Sequence, residues 1–583
     1  MRTERSDVVV VGGGAAGLSA ALEVVSRGLT VALVSKVYPM RSHTVAAEGG
    51  AAGVARDDDS LEQHVADTVA GGAGLCDEAA VRFVVERAPG ELARLERLGM
   101  PWSRDDDGLP SVRRFGGMTR ARTWYAADRT GFHLLHTLFQ TTLQHAAVRR
   151  FDEHLVLDLL VDRPGGDAPD RVRGVVAHDQ HRGEPVAILA PAVVLATGGA
   201  ARVFGTSTNA GIVTGDGIAM ALRAGVAVRD LELVQVHPTG LPGSGILLSE
   251  AARGEGGVLL DAAGERYLTD YGLGPVTPVG EPEPRRMELG PRDRLSHAFW
   301  HAERDGRTLP SRDGGVVLLD LTHLGRARID DRLPFVASLA RRFAGVDVAT
   351  EPVPVRPTWH YTMGGIRASV TGATALDGLF AAGECASTGL HGANRLGSNS
   401  LVETLVVGRA SGEQAVRTSL ARGGSEAAGD VADDVLATGS DTADRLLALR
   451  GRGTEPPGPL RAELGRVLDA DVGIFRDDAG LRRALAAVVD LRERYRDVRV
   501  ADTSTVLNTG WAQVLELGAM LQVAHVIVAG ALARTESRGA HQRLDFPDAD
   551  PLPRHTLATW DAHADAPVLA TEPVRESAAG GTR

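Results

Sequence analysis

Four cationic or proton-bearing side chains stand beside glycines and prolines: His237 before Pro238-Thr239-Gly240, Arg292 in Gly290-Pro291-Arg292, His360 before Tyr361-Thr362, and Arg395 in Gly392-Ala393-Asn394-Arg395. Alone, each is ordinary: a histidine before a turn is commonly a satisfied imidazole, and an arginine in a Gly-Pro loop a solvated charge. The run Ser249-Glu250-Ala251-Ala252-Arg253-Gly254-Glu255-Gly256-Gly257 adds a hydroxyl, two carboxylates and another arginine. Such groups bind anions and move protons.

A second chemistry is written near the N-terminus. A β-branched run at residues 7–11 ends in Gly12-Gly13-Gly14-Ala15-Ala16-Gly17, then Leu18, Ala21, Leu22 and Val25 recur at helical spacing, and residues 29–34 read as a second strand. In this βαβ unit Gly12, Gly14 and Gly17 fit the dinucleotide fingerprint, which turns tightly, lets backbone approach a pyrophosphate and packs the helix closely, with the helix N-terminus facing phosphate. The acidic residue expected to hold the adenosine ribose is missing, because Val34 is followed by Ser35 and Lys36. Lys36 is the single lysine among 63 basic residues, and a compact ammonium there suits a phosphate.

The elements that must position these groups follow the same logic. Residues 192–196 before Thr197-Gly198-Gly199, and 379–382 before Gly383-Glu384, read as two later buried strands entering tight turns, so three strand ends converge on one ligand. Residues 240–355 look loop-rich, with prolines at 275–284, and read as an insertion covering the site. Residues 399–413 lead into a helix, 423–439 read as a Gly/Ser/Ala/Asp-rich linker, 460–494 as helical, and the Pro- and Asp-rich tail after Phe546 as extended. The expected class is α/β: a Rossmann-like dinucleotide-binding domain in two parts (1–240 and 356–420), an inserted α+β capping domain (241–355), a helical domain (421–545) and a C-terminal segment (546–583). A length of 583 residues accommodates several buried cores, and net charge −12 leaves no basic footprint for nucleic acid. Two cysteines, Cys76 and Cys385, cannot supply a four-thiolate iron–sulfur or zinc site, so no metal site is expected and any cluster chemistry belongs to another chain. The first residues lack the apolar core of a secretory signal, and the apolar stretch 517–533, broken by Gln522 and His525, falls short of a membrane span.

Six ordered segments carry a resemblance that covers nearly the whole chain: residues 35–50 (SKVYPMRSHTVAAEGG), 130–140 (TGFHLLHTLFQ), 237–257, 290–300, 360–366 (HYTMGGI) and 391–401 (HGANRLGSNSL). Together they resemble the flavoprotein subunit of the fumarate reductase and succinate dehydrogenase family. The resemblance implies covalent attachment of FAD, 8α-N-histidyl, at His43. It implies that Ser35, Lys36, Ser42, Thr44, Glu48, Gly49, Gly50, Asp216, Glu384, Arg395, Ser398, Ser400 and Leu401 join Gly12, Gly14, Ala15, Ala16 and Gly17 in holding FAD. For Asp216, which follows a Gly-rich turn, a helix N-cap is the competing reading. The substrate is a small dianion, fumarate or succinate: His360 and Arg395 would clamp one carboxylate, His237 and Ser249 the other, with Arg292 adding charge. The family assigns proton delivery to Arg253, fed through Glu250 and Arg292. Arginine's high pKa makes it a poor general acid, which leaves His237 as the fallback. Ser249 stands where many relatives have Thr, and Ala252 where some have Cys.

Glu48 and the 37–40 run look like the quinol-oxidising fumarate reductase branch, where a carboxylate near the flavin couples electron uptake to protons. Succinate dehydrogenase, running the same site backwards, is the alternative. A soluble L-aspartate oxidase is disfavoured by His43, and a non-catalytic flavin carrier by the joint presence of His237, Arg253, Arg292, His360 and Arg395. Implied partners are an iron–sulfur subunit and quinone-binding membrane anchor subunits, holding the chain peripherally at the cytoplasmic face of the membrane.

Overall fold

The computed structural model describes residues 1–165, 168–428 and 433–574. The β-branched run near the N-terminus forms β1 (Val8–Val11), followed by α1 (Ala15–Ser26) and β2 (Val31–Ser35). With β3 (Val148–Asp152), β4 (Val193–Leu195) and the strand Leu379–Ala381 they build a parallel sheet in the order Leu379–Ala381, β4, β1, β2, β3. Side chains alternate across such a sheet. Val8 and Val10 of β1, with Val31 and Leu33 of β2, face a core shared with α1, while Val9, Val11, Ala32 and Val34 face the opposite core. Burial on both faces explains why these strands read as unbroken apolar runs. The three strand ends expected to converge do so, since β4 lies between β1 and Leu379–Ala381.

The insertion is more regular than its prolines and glycines suggest. It is entered by β5 (Val234–Gly240) and left by β6 (Val353–Thr362), which pair antiparallel and continue into strands Gly314–Asp320 and Val258–Leu260. The helix α2 (Arg292–Arg304) packs against β5, and a separate apolar core that includes Leu259, Phe299, Val317 and Val336 fills the unit.

Beyond it, α3 (Asn399–Ala421) packs along α1. Part of the expected linker is helical, Gly424–Ala427 and Asp433–Leu447, because Val435, Gly439 and Ala443 share a buried face behind an acidic first turn; residues 429–432 lie outside those described. The expected helical stretch 460–494 is two helices, Pro457–Asp471 and Asp478–Tyr495, the second started by the Asp477 side chain accepting from the Gly480 N–H. The apolar stretch near the end belongs to a longer helix, α4 (Thr509–Ala533). Contrary to the expectation from residues 517–533, its 25 residues are long and apolar enough to cross a membrane by length and composition, but 78% of its most apolar window is buried inside the protein. The tail is not merely extended: Arg554–Asp561 and Ala566–Pro573 form a hairpin in a five-stranded sheet with Val228–Arg229, Gly365–Arg367 and Ala386–Ser387. Two short runs of mixed apolar and polar residues among its prolines and aspartates supply that pairing.

Candidate active site

The end of β1 and the start of α1 touch the end of β4. A Cβ on Gly12, whose φ is +119°, would lie 2.1 Å from the Ala196 carbonyl oxygen, and one on Gly17 would lie 1.9 Å from the Gly12 carbonyl oxygen, so no larger residue fits either position. The N-cap of α1 is Gly14, without a side-chain cap or an acidic first turn, which turns unneutralised helix N–H groups toward the cleft; the Ala15 N–H donates to Thr44 Oγ1 at 3.2 Å. This cradle and its polar rim fit a dinucleotide such as FAD.

One cavity of about 220 Å³ collects the expected residues. On its wall stand Gly12, Gly14, Ala15, Ala16, Ser35, Lys36, Ser42, His43, Thr44, Glu48, Gly49, Gly50, Asp216, Glu384, Ser398, Ser400 and Leu401, together with His237, Ser249, Glu250, Arg292, His360 and Arg395. Two expected residues are off the wall: Gly17, whose contribution is helix packing, and Arg253, which lies behind Glu250.

Several side chains have decided states. His43 Nδ1 accepts from the Ala210 N–H at 3.3 Å, and burial pushes its imidazole down to about 4, so the ring is neutral at pH 7 with its proton on Nε2. Lys36 Nζ donates to Thr214 Oγ1, Asp216 Oδ2 and Glu516 Oε1 at 3.0, 2.6 and 2.8 Å, tying the cleft to α4. Asp216 is thus an ion-pair partner in the first turn of its helix, and Gly215 is the N-cap, which removes the capping alternative. Glu384 Oε1 accepts from the Thr362 N–H at 3.0 Å, and burial pushes its carboxyl up to about 7. Burial, with Asp128 adding like charge, pushes Glu48 well above the usual carboxylate range.

At the insertion's edge the charges interlock. Arg292 donates to Glu250 Oε2 through Nε at 2.9 Å and Nη2 at 2.6 Å, and through Nη1 to Gln235 Oε1 at 3.1 Å. Glu250 Oε1 also accepts from the Gly116 N–H, and Arg253 Nη2 lies 3.7 Å from Glu250 Oε2. Burial opposes ionisation of Glu250, but Arg292 and Arg253 outweigh it and hold the carboxylate below its usual range. Arg253 is fully buried, donates to the Glu288 carbonyl, and among the described residues leaves Nε and Nη2 without hydrogen-bond partners; burial, then Arg292, lowers its pKa. His237 on β5 and His360 on β6 bring their rings to 5.1 Å between centroids. Burial, then nearby arginines, hold both imidazoles neutral. The Thr239 N–H donates to His237 Nδ1 at 3.3 Å, which leaves Nε2–H as the donor, and Thr208 Oγ1 lies 2.8 Å from His360 Nδ1. Arg395 donates to Ser400 Oγ at 3.1 Å; burial pushes its pKa down to about 10.

Two members of this site went unnoticed in the sequence. Gln235, two residues before His237, bridges both arginines, accepting from Arg292 and donating to the Arg395 carbonyl at 2.8 Å. Tyr361 lies face-on beneath Arg395, whose guanidinium carbon is 4.2 Å from the ring centroid. Their positions beside His237 and His360 were the available signal.

Residues 7–401 match the FAD binding domain model, and residues 461–579 the fumarate reductase flavoprotein C-terminal model. The Haemophilus influenzae fumarate reductase flavoprotein subunit is 51% identical over 581 residues, covering 99% of this chain and 95% of that one. The chain belongs to the fumarate reductase flavoprotein family. The structure of a point variant of the Escherichia coli quinol fumarate reductase FrdA superposes with a TM-score of 0.95 at 50% identity, covering 100% of this chain and 99% of that one. The Coxiella burnetii succinate dehydrogenase flavoprotein subunit is more distant, 38% identical over 97% of this chain and 96% of that one. The greater likeness is to the fumarate reductase branch.

Proposed function

We propose that this chain is the flavoprotein subunit of a quinol-linked fumarate reductase, and that the residues gathered at the insertion's edge bind fumarate and protonate it. The observation that carries the reading is the meeting, on one cavity wall, of a dinucleotide cradle with two neutral histidines, two arginines and a buried carboxylate. FAD, when bound, supplies the hydride. Gly12, Gly14, Ala15, Ala16, Ser35, Lys36, Ser42, Thr44, Glu384, Ser398 and Leu401 would hold it, and His43, through Nε2, would bond to its 8α carbon.

Fumarate is a rigid dianion, and donors at both ends fix it. Arg395 and His360 take one carboxylate; the His237 Nε2–H and the Ser249 hydroxyl take the other. Arg292 faces the charge that builds on carbon during reduction. His237 is a poor acid because its environment keeps it neutral, whereas the lowered pKa of Arg253 brings that guanidinium closer to a donor's range, with the ionised Glu250 returning the proton. Glu48, whose carboxyl burial and then Asp128 push well above the usual range, favours the reducing direction by coupling electron uptake to a proton.

The division into a two-part FAD-binding domain, a capping insertion at 241–355, a helical domain and a C-terminal segment belongs to the same reading. Both cysteines are buried singly, so electrons must arrive from a partner iron–sulfur subunit, with quinol bound on membrane anchor subunits that hold this chain at the cytoplasmic face. The test uses the purified complex and the isolated chain. The complex should reduce fumarate with menaquinol faster than it oxidises succinate with ubiquinone, and the isolated chain should reduce fumarate with a chemical donor but not with quinol. Quinol-driven turnover by the pure chain, or faster succinate oxidation by the complex, overturns this assignment.

A further inference from the structure

Arg395 is weakly tethered for a residue asked to hold a carboxylate. Among the described residues its guanidinium makes one side-chain hydrogen bond, to Ser400, and Nε has no hydrogen-bond partner. What seats it is the ring of Tyr361 at 4.2 Å. A cation over an aromatic face is oriented only as well as the ring beneath it.

That ring is fixed from behind by groups that do not touch the cavity. Tyr361 Oη lies 3.2 Å from Glu403 Oε2 and 3.2 Å from His391 Nε2, and His391 Nε2 lies 2.8 Å from the same Glu403 oxygen. Thr388 Oγ1 donates to Glu403 Oε1 at 3.1 Å, so both carboxylate oxygens are engaged. His391 meets the Tyr361 ring edge-on, with centroids 5.3 Å apart and planes at 86°. Glu403 is 1% exposed and belongs to the rigid helix α3, whereas His391 and Arg395 belong to the loop before it. Burial, with Glu403 adding negative charge, raises the phenol's pKa and keeps its proton available to the carboxylate. Donation to a carboxylate also pushes electron density into the ring and strengthens its hold on a cation.

We propose that Glu403, acting through His391 and Tyr361, is the positioning residue that aims Arg395 at the substrate carboxylate. This rests on the reading of Arg395 as a dicarboxylate clamp. Glu403 stands off the cavity wall, so its loss should weaken binding more than turnover.

The experiment uses the assembled complex, with steady-state fumarate reduction and succinate titration of the oxidised flavin absorbance. Glu403→Gln keeps the volume and removes the charge. It should raise the KM for fumarate and the Kd for succinate roughly tenfold, equivalent to about 1.4 kcal/mol, while kcat stays within about threefold and flavin content is unchanged. Glu403→Asp should recover part of the loss. Tyr361→Phe keeps the ring and cuts its anchor, so it should reproduce the KM effect, and the double variant should be no worse than either single one. Tyr361→Phe also carries the test if Glu403→Gln fails to fold. Normal KM in a flavin-replete Glu403→Gln or Tyr361→Phe protein, or multiplicative effects in the double variant, overturns the inference. Arg395→Gln separates the levels. If it raises KM while the Glu403 and Tyr361 variants do not, only the positioning role fails; if it too leaves KM unchanged, the clamp reading fails with it.

Discussion

Replacing Arg253 by alanine separates proton delivery from anion binding. Arg253 is fully buried, yet its removal strands little: the Glu288 carbonyl loses one donor, a cost of about 1–3 kcal/mol, and Glu250 keeps both hydrogen bonds from Arg292, at 2.9 and 2.6 Å. The protein should therefore fold and keep its flavin. Arg395, His360, His237 and Ser249, which take the two carboxylates, are all retained, so dicarboxylate affinity should change little. General acid catalysis is worth roughly 10²- to 10⁴-fold, or about 2.7–5.4 kcal/mol of barrier, and kcat should fall within that range. Arg253→Lys should recover part, because an ammonium also donates a proton but reaches less far than a guanidinium. The assay is steady-state fumarate reduction with a chemical reductant, alongside succinate titration of the flavin absorbance. Near-normal kcat in Arg253→Ala, with turnover abolished in His237→Ala, would refute the assignment and make the histidine the donor despite its neutral state.

The other predictions address the cofactor and the fold. His43→Ser should release flavin on denaturation, seen as loss of the fluorescent band on an acid-soaked denaturing gel; a fluorescent band in the variant would move the attachment site elsewhere. Gly17→Ala drives a methyl into the Gly12 carbonyl and should cost flavin content as well as thermal stability, whereas retained flavin and an unchanged Tm would mean that β1 and α1 are not so closely packed. Glu384 holds its proton in the folded, flavin-free chain up to about pH 7, while the unfolded chain releases it near 4.5. Folded protein therefore binds more protons across that window, and stability should fall as pH rises from about 4.5 to about 7. Glu384→Gln should flatten the slope in thermal melts of the flavin-free chain; an identical slope assigns it to other carboxyls.

The parts legible in sequence were those where local chemistry admits few alternatives. The Gly12–Gly17 turn, the buried strand runs and the Gly- and Pro-flanked histidines and arginines each follow from a backbone or charge requirement visible within a few residues. What stayed hidden depends on pairing at a distance. The C-terminal hairpin forms because two short runs meet each other and residues 228–229, and no proline count reveals that. Gln235 looked like filler because its function is to join Arg292 to the Arg395 loop, three separate segments of chain. The same holds for Glu403: a carboxylate one helical turn into α3 is unremarkable until the fold sets it behind Tyr361. Arg253 shows the converse, since the motif drew attention to it but only the fold reveals that it stands behind the cavity wall with two guanidinium nitrogens lacking hydrogen bonds among the described residues. Residue type told which groups could bind anions; the sheet and the insertion decide which of them reach the cavity wall and which stand behind it.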